Sequence, residues 1–372
     1  MIGGRRGRPI NRIRTAVRAA GGDLRYRSAA MALDDRLRLV LPRILSLTVI
    51  GAVAGAAYGL ATAHGASVTG LARGALSGAL IAAIITSLDA FALKAPGAPL
   101  TRTPFLLNVG VRSLVYLVVF LLVIPAGNWL LPNPDAAGTI NISRDDIVFS
   151  FAVLFVVTFL LEVNTLLGQN VLLAFITGRY HRPRVEQRVF LIIDMKNSTA
   201  AAERLGEVAF HGLLNRLIGD LSGAIVAHKG EIHKYVGDEL IATWPLAEGL
   251  KPARCLLACF DAIQRMAALG PSYEREFGQR VEVRAALHCG PVVVGEMGSF
   301  KKEIALIGDT LNTTARLVDA CRETGESVIA SAALLEQLVV PTGIAARVLG
   351  PIRLHGKKIP VELVALQAAS GR

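Results

Sequence analysis

Four long runs of apolar residues in the first half of the chain constrain its fold more than any other feature. After Arg43 no Asp, Glu, Lys or Arg occurs until Arg73. A helix needs about 20 apolar residues to cross the hydrocarbon layer of a membrane, so the stretch 43–63 can span it. Further candidate spans lie at 74–93, 113–131 and 147–167. The sequence therefore predicts an all-α transmembrane bundle over 41–177.

The charges that flank these runs predict how they are oriented. Ten arginines and only three acids lie within residues 1–38, directly before the first run. Anionic lipid attracts juxtamembrane basic residues by about 1 kcal/mol each, so the net charge of +11 favours membrane lipid as a partner rather than nucleic acid. The second loop carries Lys94, Arg102 and Arg112, and the third carries Asp135, Arg144, Asp145 and Asp146. By the positive-inside rule we predict a multi-pass protein of the cell inner membrane, with the basic segment 1–40 and both termini in the cytoplasm.

The fourth run does not end cleanly at residue 167. Apolar residues continue to Ile176, which predicts one helix over 147–177 that projects into the cytoplasm, because it is longer than a hydrocarbon core of roughly 30 Å. Glu162 and Gln169 lie seven residues apart on one face of that helix. They either face a bundle or dimer seam or simply meet water at the interface. Residues 178–187 are then expected to be a linker.

From Arg188 onward, short β-rich segments alternate with amphipathic helices. We predict a second domain over 188–369, which begins with a buried strand at 189–194 and a helix at 199–228. Two strands that meet at Gly237 and Asp238 come next. The later predicted elements are a helix at 252–269, strands at 283–290 and 291–297, a helix at 310–322, and strands at 327–331, 345–354 and 360–367. This order predicts a ferredoxin-like α+β fold.

Two acids fall where neighbouring strands end. Asp194 closes a predicted buried strand and Asp238 lies in a tight turn, so both carboxylates are expected at one edge of the sheet. Mg²⁺ prefers one or two carboxylates together with substrate phosphates. Taken singly, an Asp in either position is usually structural. Ser198 and Thr199 open the following helix, where free N–H groups can receive phosphate oxygens and where either residue can equally be a plain N-cap.

A second candidate set lies in the segment 304–317. Asn312 and Arg316 are four residues apart and therefore share one face of a predicted helix. By themselves they would be an ordinary solvated pair, because charged side chains are mostly exposed.

Four segments together resemble the catalytic domain of class III adenylyl and guanylyl cyclases over roughly 186–367: VFLIIDMKNST, HKYVGDELIATW, LHCGPVVVGEMG and IGDTLNTTARL. The resemblance implies that Asp194 and Asp238 bind two Mg²⁺ or Mn²⁺ ions. It also implies that Asn312 orients the ribose and that Arg316 stabilises charge on the α-phosphate. In this family the acids come from one protomer and the Asn, Arg and base-reading Lys from the other, so a homodimer is expected.

Base selection in the family depends on two positions. Lys234 matches the Lys that contacts adenine, whereas guanylyl enzymes resemble one another in carrying Glu there, so ATP is the expected substrate. The second position, often Asp or Thr, falls on Ala305, which has no side-chain acceptor. The triphosphate-binding Lys of the family aligns best with His355, with Lys357 and Lys358 close behind.

The resulting hypothesis is a membrane-bound adenylate cyclase that makes 3′,5′-cyclic AMP and pyrophosphate. One alternative is a catalytically silent membrane sensor that keeps the cyclase fold, which Ala305 and His355 would support. Another is a diguanylate cyclase, since VGDEL resembles the GGDEF turn, although position 236 is Val and that family has no place for Asn312 and Arg316. A guanylate cyclase is the third, and Lys234 argues against it.

Overall fold

A computed structural model of the chain describes residues 31–62, 68–93, 100, 103–130, 144–168, 171–354 and 359–369. The chain divides between Leu167 and Gly168 into two compact units. Residues 1–30 of the basic segment, the loop charges Lys94, Arg102 and Asp135, and the phosphate-binding candidates His355, Lys357 and Lys358 lie outside the described residues.

The described residues of the N-terminal unit form four long helices. They are α1 (Met31–Thr62), α2 (Val68–Leu88, continued by a π-helix at Asp89–Leu93), α3 (Phe105–Leu130) and α4 (Arg144–Leu167). Each contains a segment long and apolar enough to cross a membrane: Val40–Leu60, Val68–Leu93, Phe105–Ala126 and Ser150–Leu167. The four predicted spans are thereby confirmed as helices, and their length and composition are those of a membrane protein. The third helix begins earlier than predicted, so Arg112 lies inside α3 and the prediction that it belongs to the second loop is wrong.

Glycines allow α1 and α2 to pack backbone against backbone. Gly55 on α1 faces Gly74 on α2, and a Cβ placed on Gly55 would lie 2.0 Å from the carbonyl oxygen of Gly74. The same relation holds for Gly51 with Gly78 and for Gly59 with Gly70. Small residues spaced by four let helices approach closely in lipid, where no hydrophobic effect drives them together. Any side chain at Gly55 would force these two helices apart.

A buried arginine holds three helical segments of this unit together. Arg112 on α3 is 2% exposed and donates hydrogen bonds to Asp89 in the π-helix and to Glu162 on α4. Tyr116 completes the cluster, because its hydroxyl donates to Asp89 over 2.7 Å and accepts from Nε of Arg112 over 3.1 Å. Glu162 therefore faces the helix bundle, which settles the open choice in favour of an internal seam. Its predicted companion Gln169 lies outside the described residues.

The prediction of one continuous helix over 147–177 is wrong. The fourth helix ends at Leu167, and Gly168 follows with a φ of +99°, a conformation that ends a helix and that glycine adopts without strain. A separate short helix, α5 (Val171–Ile176), belongs to the C-terminal unit, where Ala174 is buried.

The C-terminal unit is built on an eight-stranded sheet. The strands are β1 (Arg184–Met195), β2 (Glu231–Val236), β3 (Glu239–Pro245), β4 (Val283–Met297), β5 (Glu303–Ile307), β6 (Val328–Ser331), β7 (Ile344–Ile352) and β8 (Val361–Ala368). Their order is β2-β3-β1-β4-β6-β8-β7, with β5 paired to β4, and among the described strand pairs only β4 and β6 run parallel. The helices are α6 (Ser198–Leu205), α7 (Glu207–Ala227), α8 (Leu246–Leu250), α9 (Arg254–Phe277), α10 (Asp309–Thr324) and α11 (Ala332–Leu335). The core β1-α7-β2-β3-α9-β4 with strand order β2-β3-β1-β4 confirms the ferredoxin-like prediction.

Helices cover both faces of the sheet, so β1 is apolar on both sides. Leu191 and Ile193 contribute to the core that includes Leu217 of α7 and residues of α9. Phe190 and Ile192 point to the opposite face and pack in the core that contains Leu317 of α10. Because side chains alternate along a strand, Asp194 lies on the same face as Phe190 and Ile192, which is the face that carries α10.

Three predicted elements differ from the structure. The helix predicted at 199–228 is broken at Gly206, whose φ is +76°. The two strands predicted at 283–290 and 291–297 are the single strand β4, because Pro291 faces Gln187 within an unbroken register with β1. Helix α9 continues past Pro271 to Phe277, since the fully buried Tyr273 anchors its last turns in the core.

The segment expected to be a linker, 178–187, packs on the sheet. Tyr180 is 7% exposed, its carbonyl oxygen accepts from the N–H of Glu296 over 3.0 Å, and its hydroxyl donates to Glu186 over 3.1 Å. β1 begins within this segment, at Arg184, five residues before its predicted start.

Candidate active site

Asp194 lies near the end of β1, a central strand of the sheet. It is opposite Glu239 on β3 and Arg284 on β4, and it is 1% exposed. A carboxylate this deeply buried needs a cationic partner, because burial disfavours the charged form.

Asp238 reaches the same end of the sheet from the turn between β2 and β3. This turn has two residues, Gly237 and Asp238, and the φ of +61° at Gly237 fits the tight hairpins that glycine favours. Asp238 is half-buried and directly precedes Glu239, the residue paired with Asp194. The structure thus brings both predicted metal-binding acids to one sheet end.

Three acidic side chains, Asp194, Asp238 and Glu239, lie close enough at this end of the sheet to interact electrostatically. Burial raises the pKa of Asp194, Arg322 opposes that rise, and the charge of Asp238 raises the pKa further. Burial also raises the pKa of Glu239, and the charges of Asp194 and Asp238 add to it. Because the pKa values of Asp194 and Glu239 are both raised beside the charge of Asp238, a cation is stabilising at this end of the sheet.

Two arginines that the sequence analysis did not predict supply positive charge beside Asp194 in the structure. Nη2 of Arg322 donates a 3.0 Å hydrogen bond to Oδ2 of Asp194, and Nε of Arg284 lies 3.1 Å from the same oxygen. Arg322 lies on the helix predicted to carry Asn312 and Arg316, but no sequence pattern indicated its contact with Asp194.

The acid pair fits Mg²⁺ or Mn²⁺ in the way that nucleotide enzymes use these ions. Among the described residues no group of three or more His, Cys, Asp or Glu side chains is placed to form a complete protein cage. Mg²⁺ is commonly held by one or two carboxylates, with substrate phosphates and water as the other ligands. Asp194 and Asp238 therefore suit metal ions that arrive with a phosphate-bearing substrate.

Asn312 and Arg316 lie on α10, which carries Arg322 in its last turn. Asn312 is exposed near the start of α10, and Arg316 lines a cleft together with Arg322 and Arg353. Because Arg322 also contacts Asp194, this cleft adjoins the acids, whereas Asn312 lies ten residues, about 15 Å along the helix, before Arg322. Arg353 is a described basic residue at this cleft that the sequence reasoning missed.

The two positions predicted to read the base lie on β2 and β5. Nζ of Lys234 lies 3.5 Å from Oε1 of Glu303, and its side chain is 52% exposed. Ala305 is two residues beyond Glu303 and is 8% exposed, so it contributes only a methyl group.

The structure also places the two candidates at the start of α6. Ser198 is the first residue of that helix and Thr199 is exposed. The N-cap is Asn197, which has a φ of +58°, and it makes no side-chain capping bond. The N-cap interpretation of Ser198 and Thr199 is therefore wrong, while both remain next to the first free N–H groups of the helix.

Comparison with known proteins assigns the C-terminal half of the chain to a known family. The family model described as adenylate and guanylate cyclase catalytic domain matches residues 182–367. The chain is 36% identical over 242 residues to Adenylate cyclase 2 of Rhizobium meliloti (strain 1021), which covers 63% of this chain and 67% of that protein. It is 26% identical over 185 residues to Adenylate cyclase 1 of the same organism, 46% of this chain and only 26% of that protein.

One solved structure supports the fold. A bacterial light-regulated adenylyl cyclase superposes with a TM-score of 0.52 at 18% identity, and the match covers 64% of this chain and 73% of that chain.

Proposed function

Because the chain belongs to the adenylate and guanylate cyclase catalytic domain family, we propose that it converts ATP to 3′,5′-cyclic AMP and pyrophosphate. The observation that carries this proposal is the acid pair at one sheet end, the buried Asp194 and the half-buried Asp238, which suits metal ions that accompany a triphosphate.

In the reaction, the ribose 3′-oxygen attacks the α-phosphorus. The new O3′–P bond forms, the bond to the bridging oxygen breaks, pyrophosphate leaves, and the hydroxyl proton is lost. Bound Mg²⁺ or Mn²⁺ supplies Lewis-acid chemistry at such a site. Asp194 and Asp238 hold the ions, and the N–H groups near Ser198 and Thr199 receive phosphate oxygens at a helix start.

Arg316 and Asn312 act on the substrate directly. Arg316 donates hydrogen bonds to the α-phosphate as negative charge builds there, and the loss of one such donor commonly costs about 10²- to 10³-fold in rate. Asn312 orients the ribose so that the 3′-oxygen is in line for attack. Two basic residues are candidates for binding the terminal phosphates: Lys357, and Arg353 at the cleft that Arg316 lines.

Membership of the family supports a shared site, because in this family the acids come from one protomer and the Asn and Arg from the other. A second copy would then supply Asn312 and Arg316 to the acids of the first. A two-fold homodimer would then contain two identical sites, each made from both chains.

Lys234 favours ATP over GTP. Adenine N1 is an acceptor that an ammonium group can satisfy, whereas guanine presents N–H donors that Lys234 would leave unpaired. Ala305 adds no acceptor for the exocyclic amine.

The membrane half raises the local concentration of the catalytic halves. We assign 1–40 as a basic cytoplasmic segment, 41–167 as a four-span domain of the inner membrane, and 171–369 as the catalytic domain, which includes α5 and the segment 178–187. Both termini are then cytoplasmic, and two catalytic domains anchored to one membrane meet more often than free ones.

The test is an assay of the purified full-length chain with ATP and with GTP, each with Mg²⁺ or Mn²⁺. We expect cyclic AMP and pyrophosphate in equal amounts, and no cyclic AMP from Asp194→Ala. A well-folded parent chain that forms no cyclic nucleotide from either substrate would favour the silent-sensor alternative.

A further inference from the structure

The position expected to recognise the exocyclic amine of adenine contains no acceptor. Ala305 is 8% exposed and ends in a methyl group. The following inference rests on the proposed function, because it concerns how the same site chooses its base.

Glu303 lies on the same face of β5 as Ala305. Successive side chains of a strand point to opposite faces, so residues two apart share one, separated by about 7 Å along the strand. Glu303 is half-buried, and its longer side chain can cover part of that distance. A carboxylate is therefore available beside a position that itself offers none.

The Glu303 carboxylate also lies against Lys234. Its Oε1 is 3.5 Å from the Lys234 ammonium. The pairing joins β5 to β2, strands that are not neighbours in the sheet. The acid and the base thus project toward one another from separate elements.

A bulge in β2 explains why Lys234 points this way. Ile232 pairs with Ala242 and Lys234 with Ile241, so His233 is an extra residue in the ladder. Without it, Lys234 would share the face of Ile232, which packs against the core on the α7 and α9 side. The bulge turns Lys234 to the face of Ile241, which belongs to the other core.

We propose that Glu303 is the specificity residue that position 305 lacks, and that its carboxylate accepts a hydrogen bond from the exocyclic amine of adenine while Lys234 donates to N1. The ion pair need not break, because an ammonium has three N–H donors and a carboxylate has about four acceptor sites. Guanine would place its O6 acceptor against this carboxylate, an unfavourable contact. The pair Lys234 and Glu303 thus reads both the N1 acceptor and the 6-amino donor of adenine.

The competing explanation is that Glu303 only holds Lys234 in place. A substrate analogue, purine riboside 5′-triphosphate, distinguishes the two explanations, because it keeps N1 and lacks the 6-amino group. An acceptor for the amine matters for ATP alone, whereas a residue that positions Lys234 matters equally for both nucleotides.

The experiment measures kcat/KM for ATP and for purine riboside 5′-triphosphate with the full-length chain in detergent. The proteins are the parent, Glu303→Ala, Glu303→Gln and a control, Glu296→Ala, which removes a carboxylate paired with Lys302 in the same hairpin. Thermal unfolding checks that each variant is folded.

We expect the parent to prefer ATP by about 10- to 100-fold, the range for a hydrogen bond to a charged acceptor. Glu303→Ala should lose that preference through a fall in the ATP value, Glu303→Gln should retain part of it through its amide oxygen, and Glu296→Ala should match the parent. Equal losses for both nucleotides in Glu303→Ala, or an unchanged ratio, would overturn the assignment. A parent that cyclises neither nucleotide would instead overturn the proposed function.

Discussion

Arg322 donates a 3.0 Å hydrogen bond to the carboxylate of Asp194, the acid at the centre of the proposed metal site. The arginine side chain is 52% exposed and the aspartate side chain 1% exposed, so the guanidinium covers a buried anion from the solvent side. A metal ion bound by Asp194 would take over part of that role.

The first prediction is that Arg322→Ala destabilises the metal-free protein more than the metal-bound one. The loss should be about 1 kcal/mol or less because the arginine is half exposed, which corresponds to about 2–4 °C in melting temperature. Saturating Mn²⁺ with a non-cyclisable ATP analogue should reduce the difference. Fluorescence of the fully buried Trp244, in a Trp129→Phe background, reports on this unit alone.

Arg347→Ala is the matched control for this experiment. It removes an exposed arginine that is paired with Glu326 rather than with Asp194. Its effect should be small and independent of metal. If the Arg322→Ala deficit were just as large with metal bound, Arg322 would be a purely structural partner of Asp194.

A second prediction concerns where the catalytic domain begins. A segment 185–372 lacks Ala174 and Tyr180, which are buried in the core beside Phe190. Loss of a buried large side chain costs about 1.5–3 kcal/mol, so this segment should melt about 3–10 °C below a segment 171–372.

Point variants in the longer segment check the cause of that difference. Tyr180→Ala should reproduce most of the loss, and Tyr180→Phe, which removes only the hydroxyl bonded to Glu186, should cost less. Identical melting temperatures for the two segments would show that residues 171–184 contribute nothing to the fold.

The sequence alone predicts the architecture well and its irregularities poorly. Periodicity and length are local properties, so four spans and the ferredoxin-like order could be read from them. Pro271 normally ends a helix, but the burial of Tyr273 beyond it outweighs the local cost, and only the folded core shows this.

The candidate site was predictable to a similar extent. The acids and the Asn–Arg pair occur in recognisable segments, whereas Arg284, Arg322 and Glu303 act through contacts between elements distant in sequence. The bulge at His233, which turns Lys234 to the other face, likewise depends on the register with β3. Such contacts follow from tertiary packing and leave no pattern along the chain.

A third prediction addresses the close packing of α1 on α2. Gly55→Ala should lower the thermal stability of the detergent-solubilised chain, because its Cβ would lie 2.0 Å from the Gly74 carbonyl oxygen. Gly110→Ala is matched in chemistry and meets nothing within 4 Å, so it should be neutral or slightly stabilising through helix propensity. Loss of helical ellipticity on heating measures both, and equal behaviour of the two variants would refute the close approach of α1 and α2.

A fourth prediction concerns the buried arginine of the membrane half. Arg112→Met leaves Asp89 and Glu162 without their shared cation and should cost about 3–5 kcal/mol. Glu162→Gln should cost clearly less, because Arg112 keeps Asp89 as its partner. The same melting measurement compares them, and a larger loss for Glu162→Gln than for Arg112→Met would contradict this ranking.

The shared site is tested most directly by mixing two inactive chains. Asp194→Ala removes the acid half and Arg316→Ala the arginine half, so each homodimer should lack cyclase activity. Equal mixing gives heterodimers in which one of the two sites is intact, and about a quarter of the parent activity should return. Each variant is tagged differently, so that heterodimers can be purified and counted.

Recovery of cyclic AMP synthesis in the purified heterodimer is the result that the account predicts. Confirmed heterodimers that remain as inactive as either parent variant would contradict it and place all four residues, Asp194, Asp238, Asn312 and Arg316, in a site formed by a single chain.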